Sequence, residues 1–264
     1  MLIFKASLLI LFIAFTQQGR AQMAITLDKV VGSITIYDSR RQEWFFSDTR
    51  DARKPTLPAS TFKILNSLIA LETGAIKNEN QVLKWDGVPK SFLGRNIAVW
   101  NKDTDLKTAY KNSTVWFDVE LAKKIKRKNY KKYLSLCEYG NLDFSEKGVD
   151  FWNYGNYGIS PVNQVMFLRK VYNNDLPFSK KHIAIVKKMM ISEQTDSYIL
   201  RDNTGLTRKD GQDIGWWVGY IETKNNVYFF ATRLIKSSME VEPYFATYKK
   251  AVTRHVLQDI GSFN

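Results

Sequence analysis

Ser60 and Lys63 have the residue types and the spacing of a nucleophile and its base. They stand in the segment PASTFK, at the start of an apolar pattern with a helical period. On a helix, residues i and i+3 lie on one face, one turn apart. A serine attacks when a base takes its proton, and a lysine in an apolar site loses its charge more readily than a solvated one. The pair therefore indicates acyl-transfer chemistry.

Taken alone, this spacing is weak evidence. Serine is a common helix N-cap, and lysine is a common exposed residue. The N–H groups at a helix start would, however, also donate to a developing oxyanion. The chemistry then depends on which elements surround Ser60.

Strand patterns at both ends of the chain enclose a middle region that is mostly helical. A helical period runs from Ser60 to Gly74, and Pro243 opens a final helix pattern. We therefore predict an α+β fold: a central antiparallel sheet built from both chain ends, flanked by helices, with an inserted helical lobe. No boundary divides residues 22–264, so we expect a single catalytic domain. The predicted strands are Ser33–Asp38, Glu43–Phe46, Tyr198–Leu200, Ile214–Glu222 and Val227–Thr232.

Composition limits the classes of site. Hydrophobic residues make up 44% of the 264 residues and charged residues 25%, which is typical of a globular domain. Cys137 is the single cysteine, so neither an intramolecular disulfide nor a thiolate metal cage is expected. With two histidines, His182 and His255, we predict no metal site.

Residues 1–21 read as a secretory signal peptide. Lys5 precedes a short apolar run, and small residues allow cleavage after Ala21. We therefore expect a secreted, periplasmic protein. Removal of Lys5 and Arg20 lowers the net charge from +13 to +11. The basic runs read as solvated helix faces, so no nucleic-acid partner is expected, and no apolar run reaches the roughly 18 residues of a spanning helix.

Five blocks, in order, carry a family resemblance: PASTFKILNSLIALETGAI, WNKDTDLKTAYKNSTVWF, EYGN, FWNYGNYGIS and IGWWVGYIE. In sequence and spacing they resemble the class D serine β-lactamases of the oxacillinase type, within the penicillin-recognising enzyme superfamily. The resemblance runs from about Ile34 to Thr232. It implies a serine β-lactamase/transpeptidase-like fold and hydrolysis of β-lactam antibiotics, such as penicillins, through a serine acyl-enzyme.

The resemblance also implies a role for each matching residue. Ser60 matches the acylated nucleophile, and Lys63 the lysine that CO₂ from bicarbonate carbamylates into a general base, with no other cofactor. Ser113 would relay protons, and the indole N–H of Trp152 would donate to the carbamate. The Y-G-N match, at 139–141, is more structural than chemical. The implied substrate-binding residues are Val115, Thr204, Gly205 and Leu206.

The chain departs from the family pattern at several positions. The K-T-G motif is matched either by 203–205 (NTG), which we favour, or by 209–211 (KDG). In the first case Asn203 replaces the lysine. Asn153 stands where leucine is usual and Trp116 where proline is usual. The carboxylate-binding arginine has no clear match, and Lys249 or Arg233 would substitute for it.

These departures keep a second function open. A penicillin-binding sensor or trap would be acylated without turnover, and a peptidoglycan peptidase is a third reading. The expected partner is a small molecule, a β-lactam that acylates Ser60. The sequence leaves open whether the chain is a monomer or a homodimer.

Overall fold

A six-stranded antiparallel sheet forms the centre of the computed structural model, which describes residues 30–240 and 244–263. The predicted signal peptide and Pro243 lie outside these residues. The strand order is β2-β1-β10-β9-β8-β7. The strands are β1 Val30–Asp38, β2 Glu43–Phe46, β7 Ile191–Gln194, β8 Tyr198–Lys209, β9 Gln212–Thr223 and β10 Val227–Ser237. Four two-residue strands form two small sheets: β3 Val82–Leu83 with β6 Thr104–Asp105, and β4 Ser91–Phe92 with β5 Arg95–Asn96.

The sheet is buried on both faces because its central strands are rich in aromatic and β-branched residues. Successive side chains of a strand point to opposite faces. Trp216 therefore packs into the cluster under the helical lobe, and Trp217 packs into the cluster on the other face. Both indoles are fully buried.

Seven helices are described, and only the last one packs on the far face of the sheet with Trp217. The first helix is mostly apolar, and residues 63–71 are all buried, including the polar Lys63, Asn66 and Ser67, so it forms the centre of the lobe. The predicted α+β architecture is confirmed. The helices are α1 Lys63–Glu72, α2 Leu106–Asn112, α3 Val115–Ile125, α4 Arg127–Cys137, α5 Pro161–Asn173, α6 Lys180–Met189 and α7 Phe245–Asp259.

Three short 3₁₀ helices complete the described chain: Asp51–Arg53, Ala59–Phe62 and Ala98–Trp100. The second of them runs directly into α1. Among the described residues, no helix combines the length and the apolar character that a membrane crossing requires.

Candidate active site

Ser60 lies in the 3₁₀ helix that leads into α1, and its segment is fixed from several sides. The preceding Ala59 has a φ of 52°, a left-handed conformation that costs energy in a non-glycine residue. Its N–H donates to the carbonyl of Trp152 at 3.0 Å. Thr61 Oγ1 donates to the carbonyl of Pro58 and accepts from the buried amide of Gln164, both at 2.7 Å. The Ser60 hydroxyl has no hydrogen-bond partner among the described residues, so it is free to attack.

The Lys63 side chain is buried and directed at the C-terminal end of α2. Its Nζ donates to the carbonyl of Tyr110 at 2.8 Å and to the hydroxyl of Ser113 at 2.5 Å. Burial lowers the pKa of Lys63 to about 8, while the charges of Asp118 and Asp202 act in the opposite direction. A useful fraction of this amine is therefore neutral near physiological pH.

Ser113 occupies a strained position that two tryptophans support. It ends α2 with a φ of 52°, again left-handed. Trp100 donates from its indole N–H to the carbonyl of Asn112 at 2.9 Å. Trp116 donates from its indole to the carbonyl of Trp100 at 2.8 Å. Trp116, which stands where the family pattern has proline, thus helps to hold the turn that presents Ser113 to Lys63.

Trp152 lies against the nucleophile segment, with its ring stacked on Phe62 at a centroid distance of 5.0 Å. Its indole N–H makes no hydrogen bond within the described chain. The loop that carries it is held by the side-chain amide of Asn141. Its oxygen accepts from the N–H of Gly158 at 3.0 Å, and its nitrogen donates to the Asn156 carbonyl at 2.9 Å. The Y-G-N segment therefore fixes this loop and does not reach the reacting groups itself.

Asn153 follows Trp152 and is fully buried. Its carbonyl accepts from Thr207 Oγ1 at 2.9 Å, which ties the loop to β8. Both polar atoms of its side-chain amide lack a hydrogen-bond partner in the described chain. Such a group costs free energy relative to leucine unless it binds water or substrate.

Strand β8 passes directly beside Ser60. The amide of Asn203 donates to the backbone carbonyl of Ser60 at 3.0 Å. A Cβ on Gly205 would stand 3.1 Å from Ala59 Cβ and from the Pro58 carbonyl, so this close approach favours glycine.

Lys209, in contrast, lies at the hairpin end of β8. It pairs with Gln212, and its ammonium donates to Asn156 Oδ1 at 2.9 Å. This geometry favours the NTG alignment over the KDG alternative.

Alternation along β8 directs Thr204 and Leu206 away from Asn203 and toward α7. Leu206 packs with Phe245 and Tyr248, at the start of that helix. Lys249, on the same helix, is buried, and burial lowers its pKa to about 8. The structure thus brings Thr204 and Lys249 to one side of the sheet.

Arg233 does not share that position. Its fully buried guanidinium forms an ion pair with Asp51 at 2.6 Å and donates to the carbonyls of Asp51 and Lys54. The idea that Arg233 replaces the carboxylate-binding arginine is wrong, because both of its terminal nitrogens already bind the loop before Ser60 and its Nε is buried.

Comparisons with known proteins agree with this geometry. Residues 23–258 match the family described as penicillin binding protein transpeptidase domain. The chain is 42% identical over 209 residues to β-lactamase OXA-48 of Klebsiella pneumoniae, covering 79% of this chain and 77% of that protein. This chain belongs to the class D β-lactamases.

Solved class D β-lactamases share its fold. The enzyme from Sebaldella termitidis superposes with a TM-score of 0.83 at 43% identity, covering 89% of this chain and 93% of the other. The Nostoc enzyme superposes with a TM-score of 0.81 at 40% identity, covering 88% and 94%. These likenesses confirm the family predicted from the five sequence blocks.

Within this class D β-lactamase, sequence reasoning missed one charged group of the site. Asp118, one turn after Val115 on α3, is buried, and desolvation raises its pKa to about 6. Its charge acts on Lys63 more strongly than that of Asp202. A detectable signal was present in the sequence: one acid in the apolar run TVWFDV, where a helix entering the core would bury it.

Proposed function

We propose that this class D β-lactamase hydrolyses β-lactam antibiotics of the penicillin type through an acyl-enzyme on Ser60. The observation that carries the proposal is the arrangement of Ser60, Lys63 and Ser113: a free hydroxyl one turn from a buried amine, which is itself hydrogen-bonded to a second hydroxyl. The relatives named as β-lactamases support the substrate class.

In acylation, Ser60 Oγ bonds to the lactam carbonyl carbon while its proton passes to the base at Lys63. The N–H groups of Ser60 and Leu206 would donate to the carbonyl oxygen as it gains charge. The carbon–nitrogen bond of the ring then breaks. Ser113, in contact with Lys63, would deliver a proton to the departing nitrogen, so the catalytic groups return to their first state.

The surroundings of Lys63 fit a carbamate. Carbamylation needs a neutral amine, and burial provides a fraction of it because the pKa falls to about 8. Trp152 lies against Phe62, and its indole N–H, which bonds to none of the described residues, is suited to a carbamate oxygen. When formed, the carbamate would supply the base for deacylation. Val115 would pack beside it at the start of α3.

The substrate carboxylate would bind on the α7 side of β8. Thr204 offers a hydroxyl there, Lys249 offers a cation, and Gly205 keeps the strand close to Ser60. The basic net charge of the chain favours an anionic substrate in general terms.

Export of the protein is part of the proposal. The signal-peptide pattern of residues 1–21 supports a secreted or periplasmic location, with cleavage after Ala21. N-terminal sequencing of the protein recovered from the periplasm tests this directly: a mature chain beginning at Gln22 is expected, and an intact Met1 in that fraction would contradict it.

Time-resolved mass spectrometry with benzylpenicillin tests the proposed activity. We expect a transient adduct with the mass of the drug, followed by free enzyme and hydrolysed penicillin. Ser60→Ala should form no adduct. An adduct that persists for hours would contradict hydrolysis and favour the penicillin trap, whose case rests on the absence of the motif lysine at Asn203.

A further inference from the structure

A buried polar network lies one turn beyond the catalytic pair, on two neighbouring helices. Asn66 follows Lys63 by one turn on α1, and Asp118 follows Val115 by one turn on α3. The Asn66 amide donates to Asp118 Oδ1 at 3.0 Å, and its oxygen accepts from the hydroxyl of Tyr130 on α4. All three side chains of the network are buried. A carboxylate held in this way stays ionised at a lower cost than an unbonded one.

The groups that face Asp118 come from each helix around it. Lys63 on α1 stabilises its anionic form, and the Asn66 amide does the same. The phenols of Tyr110 on α2 and Tyr130 on α4 also interact with the negative charge of Asp118. They stay neutral because burial raises the pKa of both. Asp202 on β8 adds a second, weaker negative influence on Lys63. Because α1 packs against α3 and Asp118 is bonded to Asn66, one turn after Lys63, Lys63 is the buried cation that this carboxylate acts on.

We propose that Asp118 is a positioning residue that holds Lys63 in its ammonium form and opposes its carbamylation. This inference rests on the proposed function of Lys63. In carbamylation, the ammonium first loses a proton to water. The lone pair of the resulting neutral amine then bonds to the carbon of CO₂, one C–O π bond opens to an oxygen anion, and the nitrogen loses a second proton to water. A cation in the buried region shared with Asp118 thus becomes an anion.

The consequence is electrostatic. Attraction between Asp118 and Lys63 favours the uncarbamylated site, and repulsion penalises the carbamate, in a buried region where charges interact strongly. Both effects disfavour carbamylation of Lys63. The carbamate in this enzyme should therefore need more bicarbonate and a higher pH than the same lysine would need without the carboxylate.

The first test uses ¹³C NMR of the carbamate carbon, with the full protein and ¹³C-bicarbonate as the probe. In Asp118→Asn we expect half-maximal carbamylation at about one-tenth of the wild-type bicarbonate concentration, a change of about 1.4 kcal/mol. The pH midpoint of the signal should also fall. Equal or weaker carbamylation in the variant would overturn the proposal.

Asp202→Asn is the matched control. Asp202 is also a buried acid that acts on Lys63, but it receives the indole N–H of Trp217 and lies 3.5 Å from the ammonium of Lys250. We expect a smaller change in bicarbonate requirement than in Asp118→Asn. An equal or larger change would mean that the effect is not specific to the α3 carboxylate.

The second test needs no variant and is independent of whether Asp118→Asn folds. By linkage, if Asp118 opposes carbamylation, then carbamylation must raise the pKa of Asp118. NMR of ¹³C-carboxyl-labelled aspartate should show this increase when bicarbonate is added to the wild type. An unchanged Asp118 titration would contradict the proposal.

Failure of the two proposals would look different. Penicillin hydrolysis without any carbamate signal in wild type or variant would overturn this inference and leave the β-lactamase function intact. A lower bicarbonate requirement for carbamylation in Asp118→Asn, without penicillin hydrolysis by the wild type, would support this inference and overturn the β-lactamase function.

Discussion

The side chain of Asn203 and the backbone carbonyl of Ser60 share a buried hydrogen bond of 3.0 Å. The oxygen of the same amide accepts from the N–H of Thr204 at 2.8 Å. A neutral residue thus joins β8 to the nucleophile at the position where the family pattern has lysine. The bond fixes the backbone of Ser60, but it adds no positive charge to the site.

Asn203→Lys should increase kcat/KM for a penicillin. A charge-assisted hydrogen bond contributes about 1.5–3 kcal/mol, so the gain should be about tenfold to a hundredfold. Distant lysines do not compensate, because solvated charges are screened within about 8–10 Å. Steady-state kinetics measure the change, with Lys209→Ala as the control, whose kcat/KM should be nearly unchanged. A loss of activity in Lys209→Ala with no gain in Asn203→Lys would show that the KDG alignment is correct.

The activity should rise with pH between about 6 and 9, because the neutral form of Lys63 increases as the pH passes its pKa of about 8. Added bicarbonate should raise the rate at each pH, and most strongly above that pKa, where more amine is free to react. Stopped-flow hydrolysis in buffers of matched ionic strength measures both effects. A rate that is flat in pH and in bicarbonate would contradict carbamylation of Lys63.

Asn153→Leu should stabilise the fold. Both polar atoms of this fully buried amide lack partners among the described residues, and removing an unsatisfied buried group recovers about 1–3 kcal/mol. Urea denaturation measures the change in the free energy of unfolding. Asn141→Leu is the control: its amide is hydrogen-bonded to Gly158 and Asn156, so this variant should lose stability. Destabilisation by Asn153→Leu would show that its amide binds a group that the described residues do not include.

Lys249→Met should raise KM for penicillins about tenfold to a hundredfold if its ammonium binds the substrate carboxylate, since a hydrogen bond to a charged group contributes about 1.5–3 kcal/mol. Arg233→Met is the contrasting variant. It breaks the buried pair with Asp51, so it should lower the free energy of unfolding by about 3–5 kcal/mol and leave KM unchanged where the protein is folded. A KM effect in Arg233→Met alone would reverse the assignment of the two residues.

The parts of the fold with a regular apolar period were predictable from the sequence. The strand Glu43–Phe46 has the predicted bounds, and the helical period after Ser60 corresponds to the 3₁₀ helix and α1. The predicted strand Tyr198–Leu200 is too short: β8 continues to Lys209, through polar residues that no alternation marks as a strand. Hydrogen bonding to β9 and contact with Ser60 hold that extension in place.

The edge strand Ile191–Gln194 was missed for a related reason. Its residues are only partly buried, so its sequence (ISEQ) carries little apolar signal. In the site, motif spacing located Ser60, Lys63 and Ser113, since these lie on short continuous segments. Motif spacing did not reveal Asp118. The single acid in the apolar run TVWFDV indicates burial, but the effect of that carboxylate on Lys63 depends on how α3 packs against α1, which is a tertiary contact.

The position of β10 has a consequence for folding order. This last strand lies between β1 and β9, so the N-terminal hairpin has no neighbour in the sheet until residue 227 and those after it have been synthesised. Contacts between residues so distant in sequence close slowly, because the loop entropy is lost before the pairing is gained. The nucleophile, 143 residues before its partner Asn203, is therefore assembled only late, when nearly the whole chain is present. A nascent chain that stops short of β10 would carry Ser60 without a working site.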